Sequence, residues 1–499
     1  MRVTNQMVNH AALKNMQRSQ SRVSDTTTRM TSGKKIQKAS EDPVVAMRAL
    51  KLRSTVAQLD QYKTKNIKDA NSWMFVTETS LNNIVGRLSS VYDYCVQGAN
   101  DTYDSAARSN IVDGLQALKD QIYAEGSATY AGRYLFSGYR TSTDMTFATK
   151  ESVRGVSYDI TEHLSSDDFK RKDVVTDPMN YDMVDDYING TAPYTPPRDA
   201  TVSVLKLAYN DLEYDPEITF DGDKPADLGF VMVTKGRGDK DTYYEAGVNE
   251  IVYIPETGEL VFGENAYNAL KATKDIQVNY SKSTFQVGDL RPDHYFDCIK
   301  HEPQSDGTIK DIHFEQPEGG QNIQYEVNFN QFITVNTQGK DVITHAMGNE
   351  IDELTNALQE WTEIEDVITK LKAKLTDPAY SEDKDKIAKI NQLIEDADVE
   401  MALKRNRVAE LFEKGETTFT NFMNQVSAAQ ADVGTRMNKL DMIATRVAEQ
   451  YDNFDELKSA NEDVETEEAI IEFNEANLVY NASLAATSNI LQTTLLDYL

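Results

Sequence analysis

Residues 67–95 read IKDANSWMFVTETSLNNIVGRLSSVYDYC, and their apolar side chains recur at alternating steps of three and four residues. This heptad series consists of Ile67, Ala70, Met74, Thr77, Leu81, Ile84, Leu88, Val91 and Cys95, and only Ala70 and Thr77 are weak members. Such a repeat places one apolar stripe along an α-helix and is typical of helices that pack against another helix. The pattern therefore predicts a long helix with a helical partner.

The start of this helical region is marked upstream by Ser40-Glu41-Asp42-Pro43. Asp42 can accept hydrogen bonds from the free amides of a first turn, and Pro43 suits the first helical position because its φ is preset. A second helix is predicted after Asp104, with an apolar stripe formed by Ile111, Leu115, Leu118 and Ile122.

The other end of the chain repeats this pattern, with a three-four series of Val433, Met437, Leu440, Ala444, Val447, Tyr451 and Phe454. Apolar residues then continue to the last position, through Ile470, Phe473, Tyr480, Leu484, Leu491, Leu495 and Leu499. Ordinary packing inside a monomeric helical bundle would explain the stripes themselves. The final residues of a domain are usually polar and frayed, so an apolar chain end predicts a surface against which it is buried.

Proline separates the two helical ends from a different middle. Ten of the 12 prolines lie between Pro178 and Pro317, whereas residues 44–177 and 379–499 contain none, as long helices require. Between about 150 and 340 come short β-rich runs at 250–254, 259–262 and 324–329. Turn dipeptides separate them, including Asp221-Gly222, Thr257-Gly258 and Gly319-Gly320. We expect an α+β chain that is helical at both ends.

Charge is distributed unevenly along the chain. The 499 residues hold 51 Lys and Arg against 81 Asp and Glu, a net charge of −30, which argues against nucleic-acid binding. Residues 1–68 carry 14 basic and 4 acidic residues, a net charge of +10, and residues 430–499 carry 4 basic and 14 acidic residues, a net charge of −10. We therefore expect an N-terminal helix beside a C-terminal helix, within one subunit or between neighbours, ordered mainly on assembly. Burial of leucine-sized side chains should stabilise this pair more than surface ion pairs do.

Several classes of protein lack support in the sequence. Cys95 and Cys298 are the only cysteines, so no disulfide framework is expected, and no apolar run is long enough for a transmembrane helix or an ordinary signal peptide. The six histidines form no metal-binding pair, and the spacing of His294, His301 and His313 around Cys298 matches no ligand pattern. Phosphate-binding and nucleophile motifs are missing, so we expect no catalytic residue, metal or cofactor.

Two short motifs in the middle of the chain resemble known binding motifs, but each is explained more simply as a turn. Arg237-Gly238-Asp239 is an integrin-type tripeptide that could serve an adhesin. Asp221-Gly222-Asp223 resembles part of a calcium loop, but the other ligands of an EF-hand are missing.

Four segments carry a resemblance to a known family. Met30–Ile36 followed by Ala39–Pro43, reading MTSGKKI and ASEDP, is similar to a signature near the N-terminus of bacterial flagellins and their junction relatives. Ala131–Tyr139 resembles a segment of the flagellar hook-associated proteins of the hook-filament junction. Ala431–Asn438 resembles the segment that opens the last long helices of both groups, and Thr494–Leu499 matches the ending of the junction proteins.

The resemblance implies a flagellin-like layout of layers. Residues 1–43 and 460–499 would form an inner terminal helical layer, residues 44–150 and 340–459 a helical bundle layer, and residues 151–339 a variable β-rich outer domain. A helical insertion around 362–405, broken at Pro378 and capped within Ser381–Asp385, departs from this layout. Its apolar side would consist of Leu371, Leu375, Ile387, Ile390 and Ile394, and the resemblance gives it no role.

The function implied is that of an extracellular structural subunit of the flagellum, joining the hook side to the filament. Expected partners are a neighbouring hook-associated protein, flagellin, further copies of the chain, an export chaperone and the type III export apparatus, which needs no cleaved signal. The expected assembly residues are Ile36, Ser40, Asp42, Pro43, Leu484, Leu491, Leu495, Leu496, Tyr498 and Leu499. The alternatives are a flagellin proper and, in another class, a secreted adhesin that binds through its middle domain.

Overall fold

The computed structural model describes residues 5–99, 105–304, 308–317 and 319–496, which form two compact units. The terminal unit comprises residues 5–71, 325–333 and 438–496. The middle unit comprises the described residues within 72–324 and 334–437.

The described ranges are predominantly helical at both ends of the chain. The α-helices are α1 (Asn5–Ser32), α2 (Pro43–Gln61), α3 (Ile67–Gly98), α4 (Ser105–Glu125), α5 (Val184–Asn189), α6 (Glu264–Leu270), α7 (His345–Lys374), α8 (Pro378–Ser381), α9 (Lys384–Glu462) and α10 (Thr466–Leu496). A π-helical turn, Tyr62–Asn66, joins α2 to α3. None of these helices, as far as they are described, combines the length and apolar composition needed to cross a bilayer.

The predicted start of the N-terminal helices is confirmed. The Asp42 carboxylate accepts hydrogen bonds from the amides of Val44 at 2.9 Å and Val45 at 3.1 Å, and Pro43 is the first residue of α2. The predicted stripe of α3 is also confirmed, because each of its nine members is at most 7% exposed. On α4 the predicted members Ile111, Leu115 and Ile122 are buried, and Leu118 is half-buried.

The C-terminal helix is longer than the resemblance suggested. Residues 431–438, which resemble the segment that opens the last long helices of the relatives, lie inside α9, which runs for 79 residues. The helix instead begins where the insertion was predicted to be capped, since the Asp383 carboxylate accepts from the amides of Asp385 and Lys386. Within the predicted C-terminal stripe, Val433, Leu440 and Val447 are buried and the other members are half-buried.

Strands occupy the middle of the chain, as predicted. They are β1 (Thr129–Tyr130), β2 (Arg133–Tyr134), β3 (Ser157–Leu164), β4 (Lys170–Thr176), β5 (Arg198–Lys206), β6 (Glu217–Phe220), β7 (Val231–Thr234), β8 (Glu250–Ile254), β9 (Glu259–Phe262), β10 (Ile276–Lys282), β11 (Asp297–Pro303), β12 (Ile309–Phe314), β13 (Gln324–Asn328) and β14 (Gln331–Thr334). The three runs singled out from sequence correspond to β8, β9 and β13.

Two five-stranded sheets dominate this region. One has the strand order β12-β11-β3-β10-β6 and is antiparallel throughout, and the other has the order β4-β5-β9-β8-β7 with a parallel β7–β8 pair. Their facing side chains share a core that includes Tyr158, Ile160, Leu205, Val278 and Leu260. Alternation along each strand places these residues on one face, which is the arrangement expected of sheets that pack together.

The predicted helical insertion is a hairpin formed by the end of α7, the short α8 and the start of α9. Leu371 and Ile390 are buried in it, and Leu375, Ile387 and Ile394 are half-buried. The segment around α5 binds to this hairpin, since Glu400 accepts from the Met179 amide at 2.8 Å and Asp396 accepts from the Tyr194 hydroxyl at 3.0 Å. The insertion therefore anchors part of the β-rich region within the middle unit.

Candidate functional site at the paired chain termini

The first and last helices of the chain, α1 and α10, pack side by side within the terminal unit. The hydroxyl oxygens of Ser19 and Ser483 lie 3.2 Å apart, and Arg29 forms an ion pair with Glu472 at 3.5 Å. This confirms the pairing predicted from the charges of the two ends and places it within a single chain.

Small side chains line the described part of this helix pair. The buried residues are Thr26, Ala469, Ala476 and Thr487. Small residues let two helix backbones approach closely, and several large residues of α10 are exposed: Leu478 is 73% exposed, Ile471 59% and Leu484 39%. Phe473 and Tyr480, two large members of the predicted stripe, are half-buried, and the expectation that leucine-sized side chains hold the pair together stays a prediction. Part of the apolar surface of α10, at Ile470, Ile471 and Leu478, remains accessible.

A second contact joins the connection after α1 to the break between α9 and α10. The Lys35 amide donates to the Glu462 carbonyl at 2.8 Å, and the Val464 amide donates to the Gly33 carbonyl at 3.0 Å, which gives a short antiparallel bridge. Gly33 has a φ of +67°, a left-handed conformation that glycine adopts at low cost after a helix. The bridge fixes where both helices end.

Glu462 is the centre of this contact. Its side chain is only 4% exposed, and it receives hydrogen bonds from the Arg53 guanidinium, with Nε 2.7 Å from Oε1, and from Lys34 at 3.4 Å. Lys34 also contacts Asp463 at 2.5 Å. The hydrogen bond from Arg53 lowers the pKa of Glu462, and the Lys34 ammonium adds to this effect; the hydrogen bond from Lys34 lowers the pKa of Asp463. Both carboxylates are thus stabilised in their ionised form by bases from the N-terminal segment.

A third contact lies at the π-helical turn after α2. The Tyr62 hydroxyl donates to the Glu326 carboxylate at 2.9 Å, and the Asn66 amide donates to the Glu326 carbonyl at 2.8 Å. The Tyr62 ring meets Phe329 edge-on, with centroids 5.6 Å apart. Burial, followed by the hydrogen bond to Glu326, raises the pKa of Tyr62 to about 12. The turn therefore positions the β13–β14 hairpin within the terminal unit.

The structure brings only some of the predicted assembly residues together. Asp42 and Pro43 form the cap of α2, and half-buried Ile36 and exposed Ser40 lie in the connection between α1 and α2. Leu484 lies on α10 with its side chain partly exposed. The side chains of Leu491, Leu495 and Leu496, and the whole of Tyr498 and Leu499, lie outside the described residues.

Sequence reasoning missed the polar residues that hold the terminal unit together. These are Lys34, Arg53, Tyr62, Glu326, Glu462 and Asp463. Four of them belong to the two oppositely charged end segments. The net charge of a segment does not indicate which of its residues meet, so these four could not be singled out. Nothing in the sequence pattern identified Tyr62 or Glu326.

The motifs weighed as alternative sites are engaged in contacts within the chain. Arg237 forms ion pairs with Glu256 at 2.8 Å and Asp211 at 3.6 Å, and Asp239 accepts from the Gly236 amide. Asp221 accepts from the amides of Lys274 and Asp275, as a turn residue does. In the described ranges, no group of three or more His, Cys, Asp or Glu residues is placed to hold a metal ion.

Comparison with known proteins finds relatives for both ends of the chain. The model of the bacterial flagellin N-terminal helical region matches residues 3–141, and the model of the bacterial flagellin C-terminal helical region matches residues 417–499. These matches cover α1 to α4 at one end and the second half of α9 together with α10 at the other.

Two curated proteins are similar in sequence. Flagellar hook-associated protein 3 of Escherichia coli (strain K12) is 28% identical over 144 residues, which is 29% of this chain and 45% of that protein. Flagellar hook-associated protein 3 of Salmonella typhimurium (strain LT2) is 25% identical over 167 residues, which is 33% of this chain and 52% of that protein. The chain spans about half the length of the curated relatives it matches.

A solved structure of flagellar hook associated protein-3 from Legionella pneumophila is also similar. The two share 12% identity at a TM-score of 0.30, over 82% of this chain and 96% of that one.

Proposed function

We propose that this flagellin-like chain, which carries both helical regions of the bacterial flagellins and resembles flagellar hook-associated protein 3, is a structural subunit of the bacterial flagellum. In this proposal it is the adaptor that joins the hook side to the filament and thereby supports motility. It acts by binding and not by catalysis.

One observation carries the proposal. The fully buried residues of the paired helices are small, and several large apolar residues of α10 remain in water, with Leu478 73% exposed and Ile471 59%. An accessible apolar helix face of this kind marks an interaction site. A subunit that is built into an assembly buries this face against its neighbours.

The proposed partners follow from the position of an adaptor. One axial side contacts a neighbouring hook-associated protein, the other templates flagellin, and copies of the chain contact each other around a ring or helix through heterologous contacts. We further propose that the chain reaches the cell exterior through the flagellar type III export apparatus, with an export chaperone covering its C-terminal helix beforehand.

The proposed layout retains the layers expected from sequence. Residues 1–43 and 460–499 serve as the inner layer, residues 44–150 and 340–459 as the helical layer, and residues 151–339 as the outer domain. Ile36, Ser40, Asp42 and Pro43 form the turn between layers. Leu484, Leu491, Leu495, Leu496, Tyr498 and Leu499 serve as packing residues of the inner layer.

Electron microscopy of flagella from a deletion strain tests the proposal. Cells that lack the chain should carry hooks without filaments and should release flagellin into the medium. Filaments of normal length and number on the mutant cells would contradict the adaptor role.

A point variant tests the exposed face of α10 separately. Leu478→Asp should leave the thermal unfolding of the purified chain unchanged, because the side chain is already in water, yet it should fail to restore filaments in the deletion strain. A matched control is Val231→Asp, at a 58% exposed position of the middle unit, which should restore them.

The proposal is distinguished from that of a filament subunit by copy number. A flagellin is present along the whole filament, whereas an adaptor is confined to one end of it. Immunogold labelling with an antibody to the middle unit should therefore mark only the hook-proximal end. Label along the entire filament would favour the flagellin alternative.

A further inference from the structure

Helix α2 has apolar residues on two opposite faces. The inward face consists of Val45, Ala49, Leu52, Val56 and Leu59, all buried or half-buried. The outward face, which we call face A, consists of the apolar residues Pro43, Met47, Leu50 and Ala57 together with Ser54, all exposed. Met47 is 69% exposed and Leu50 67%. A surface helix normally carries one apolar stripe, so a second one indicates a contact that the single chain does not supply.

Two exposed basic residues lie on one side of face A. Lys51 is directly beside Met47 around the helix, and Arg48 is about 100° from Met47. Neither forms an ion pair with any residue in the described ranges. No acidic residue occurs between Pro43 and Leu59. The partner of face A should therefore combine apolar and acidic side chains.

The outward side of α9 within the terminal unit has that composition. Met442 is 69% exposed and Leu457 55%. Exposed acidic residues lie around them at Asp441, Glu449, Asp452 and Glu456, and these outnumber the exposed basic residues of the same side, Lys439 and Arg446. We call this surface face B. Of its four carboxylates, Asp452 lies 3.8 Å from Lys63, and the other three form no ion pair with described residues.

We propose that face A of one copy of the chain docks on face B of the next copy. Apolar side chains meet at the centre of this contact, and Arg48 and Lys51 face the carboxylates of α9. The two faces differ, so the contact is heterologous and repeats from copy to copy instead of closing into a two-fold dimer. Opposite charges select the partner and its register, and the apolar residues supply the binding energy. This inference rests on the proposed function, because it assumes that copies of the chain assemble side by side.

Disulfide cross-linking in assembled flagella tests the contact. Leu50→Cys and Leu457→Cys variants of the full chain are co-expressed in the deletion strain, so a bond between them can form only between different copies. Both native cysteines are buried and stay out of the reaction. Mild oxidation should give a cross-linked dimer that neither variant gives alone. Absence of this dimer in filamented cells, or a bond to another flagellar protein instead, would overturn the inference.

Charge reversal tests the same contact without cysteines. In the double variant Arg48→Glu/Lys51→Glu, face A becomes acidic and meets the acidic face B of the next copy. In the double variant Asp441→Lys/Glu449→Lys, face B becomes more basic and meets the basic face A. Each variant alone should reduce the number of filamented cells about tenfold or more. Co-expression of both should restore it, because each reversed face then meets an opposite charge on the other chain. The matched control Lys150→Glu/Arg154→Glu makes the same change in net charge on an exposed loop of the middle unit and should have no effect.

The outcomes separate the inference from the function on which it rests. Normal filaments in the deletion strain remove the adaptor role itself. Bare hooks in the deletion strain, together with full rescue by either charge-reversed variant alone, leave the adaptor role standing and reject the A–B contact. Unchanged thermal unfolding of the purified variants shows that any loss comes from assembly and not from misfolding.

Discussion

The middle and terminal units use their helices in opposite ways. In the middle unit, large residues of α3 and α9 such as Leu81, Leu88 and Phe412 are completely buried. In the terminal unit, α1 and α10 bury alanine and threonine, and leave Ile471 and Leu478 more than half exposed. The middle unit therefore has the composition of a folding core, whereas the terminal helices keep part of their apolar surface exposed. The same kind of stripe in sequence can be buried within the chain or left in water.

The largest effect on stability is expected when an aromatic ring is removed from the core of the middle unit. Phe412 is fully buried, and its ring occupies the space beside Gly98, where an added Cβ would clash with a ring carbon. Phe412→Ala should lower the free energy of unfolding by about 3–5 kcal/mol, because it removes apolar burial and leaves a cavity. Urea unfolding measures this change.

The matched control for this variant is Phe75→Ala, because Phe75 is 59% exposed on α3. The control should change the free energy of unfolding by less than about 0.5 kcal/mol. Similar losses in both variants would contradict the contrast between buried and exposed apolar residues.

The next largest effect is expected in the pH dependence of the stability of the middle unit. The His345 ring lies among Tyr209 and Tyr295, with centroids 4.6 Å away, and Phe296, at 5.4 Å. Burial lowers the pKa of His345 to about 3, and the nearby Lys119 ammonium adds to this. When the pH falls below about 6.5, a histidine with such a lowered pKa stays neutral in the folded chain, whereas the same histidine binds a proton in the unfolded chain. Stability should therefore be fully present above about pH 6.5 and fall by about 1.4 kcal/mol per unit between there and pH 3.

His345→Phe isolates this contribution from that of the carboxyl groups. Urea unfolding at pH 7, 5 and 4 should show a shallower loss of stability toward acid in this variant than in the parent chain. His313→Phe, at an exposed position, should keep the parent slope. An unchanged slope in His345→Phe would refute the assignment.

A smaller effect is expected at the buried carboxylate of the terminal unit. Glu462→Gln removes the charge that Arg53 and Lys34 contact, and it should lower local stability by about 1–2 kcal/mol, because Arg53 remains 58% exposed to water. Hydrogen exchange at the amides of Lys35 and Val464, which form the bridge, should accelerate accordingly.

The same bridge should depend on pH in the parent chain. The pKa values of Glu462 and Asp463 are lowered in the fold, so the bridge should be stable at pH values above the ordinary pKa range of carboxyl groups and should weaken as the pH falls below about 4.

Asp452→Asn is the control for this carboxylate, since Asp452 is 75% exposed and lies 3.8 Å from Lys63. It should leave exchange at the bridge unchanged. Faster exchange in Asp452→Asn as well would show that loss of any nearby negative charge weakens the bridge, and it would contradict a specific role of the Glu462 contact.

The smallest effect is expected at the cap of α2. Asp42→Ala removes the acceptor of the Val44 and Val45 amides and should cost about 1 kcal/mol, seen as faster exchange of those two amides. Asp42→Ser should retain most of the protection, because serine also caps helices. Equal exchange in Asp42→Ala and the parent chain would show that the cap contributes nothing to the terminal unit.

Features set by neighbouring residues were predictable from the sequence. The buried stripe from Ile67 to Cys95, the caps at Asp42 and Asp383, and the strands at 250–254 and 259–262 all depend on residues a few positions apart. Helical and strand periodicities and capping hydrogen bonds act over that range, so a single sequence carries them. The opposite charges of the two ends also predicted that these ends pair.

Only the tertiary structure decided where the helices stop and which residues meet. The break between Glu462 and Thr466 contains neither glycine nor proline, and it occurs where residues 33–35 bridge to it. Glu462 meets Arg53 across 409 positions, and Tyr62 meets Glu326 across 264. The apolar pattern of α10 also gave no indication that its partner α1 would leave Leu478 in water. Periodicity determines that a helix has an apolar face, but only the packing of distant segments determines whether that face is buried in the chain or remains exposed.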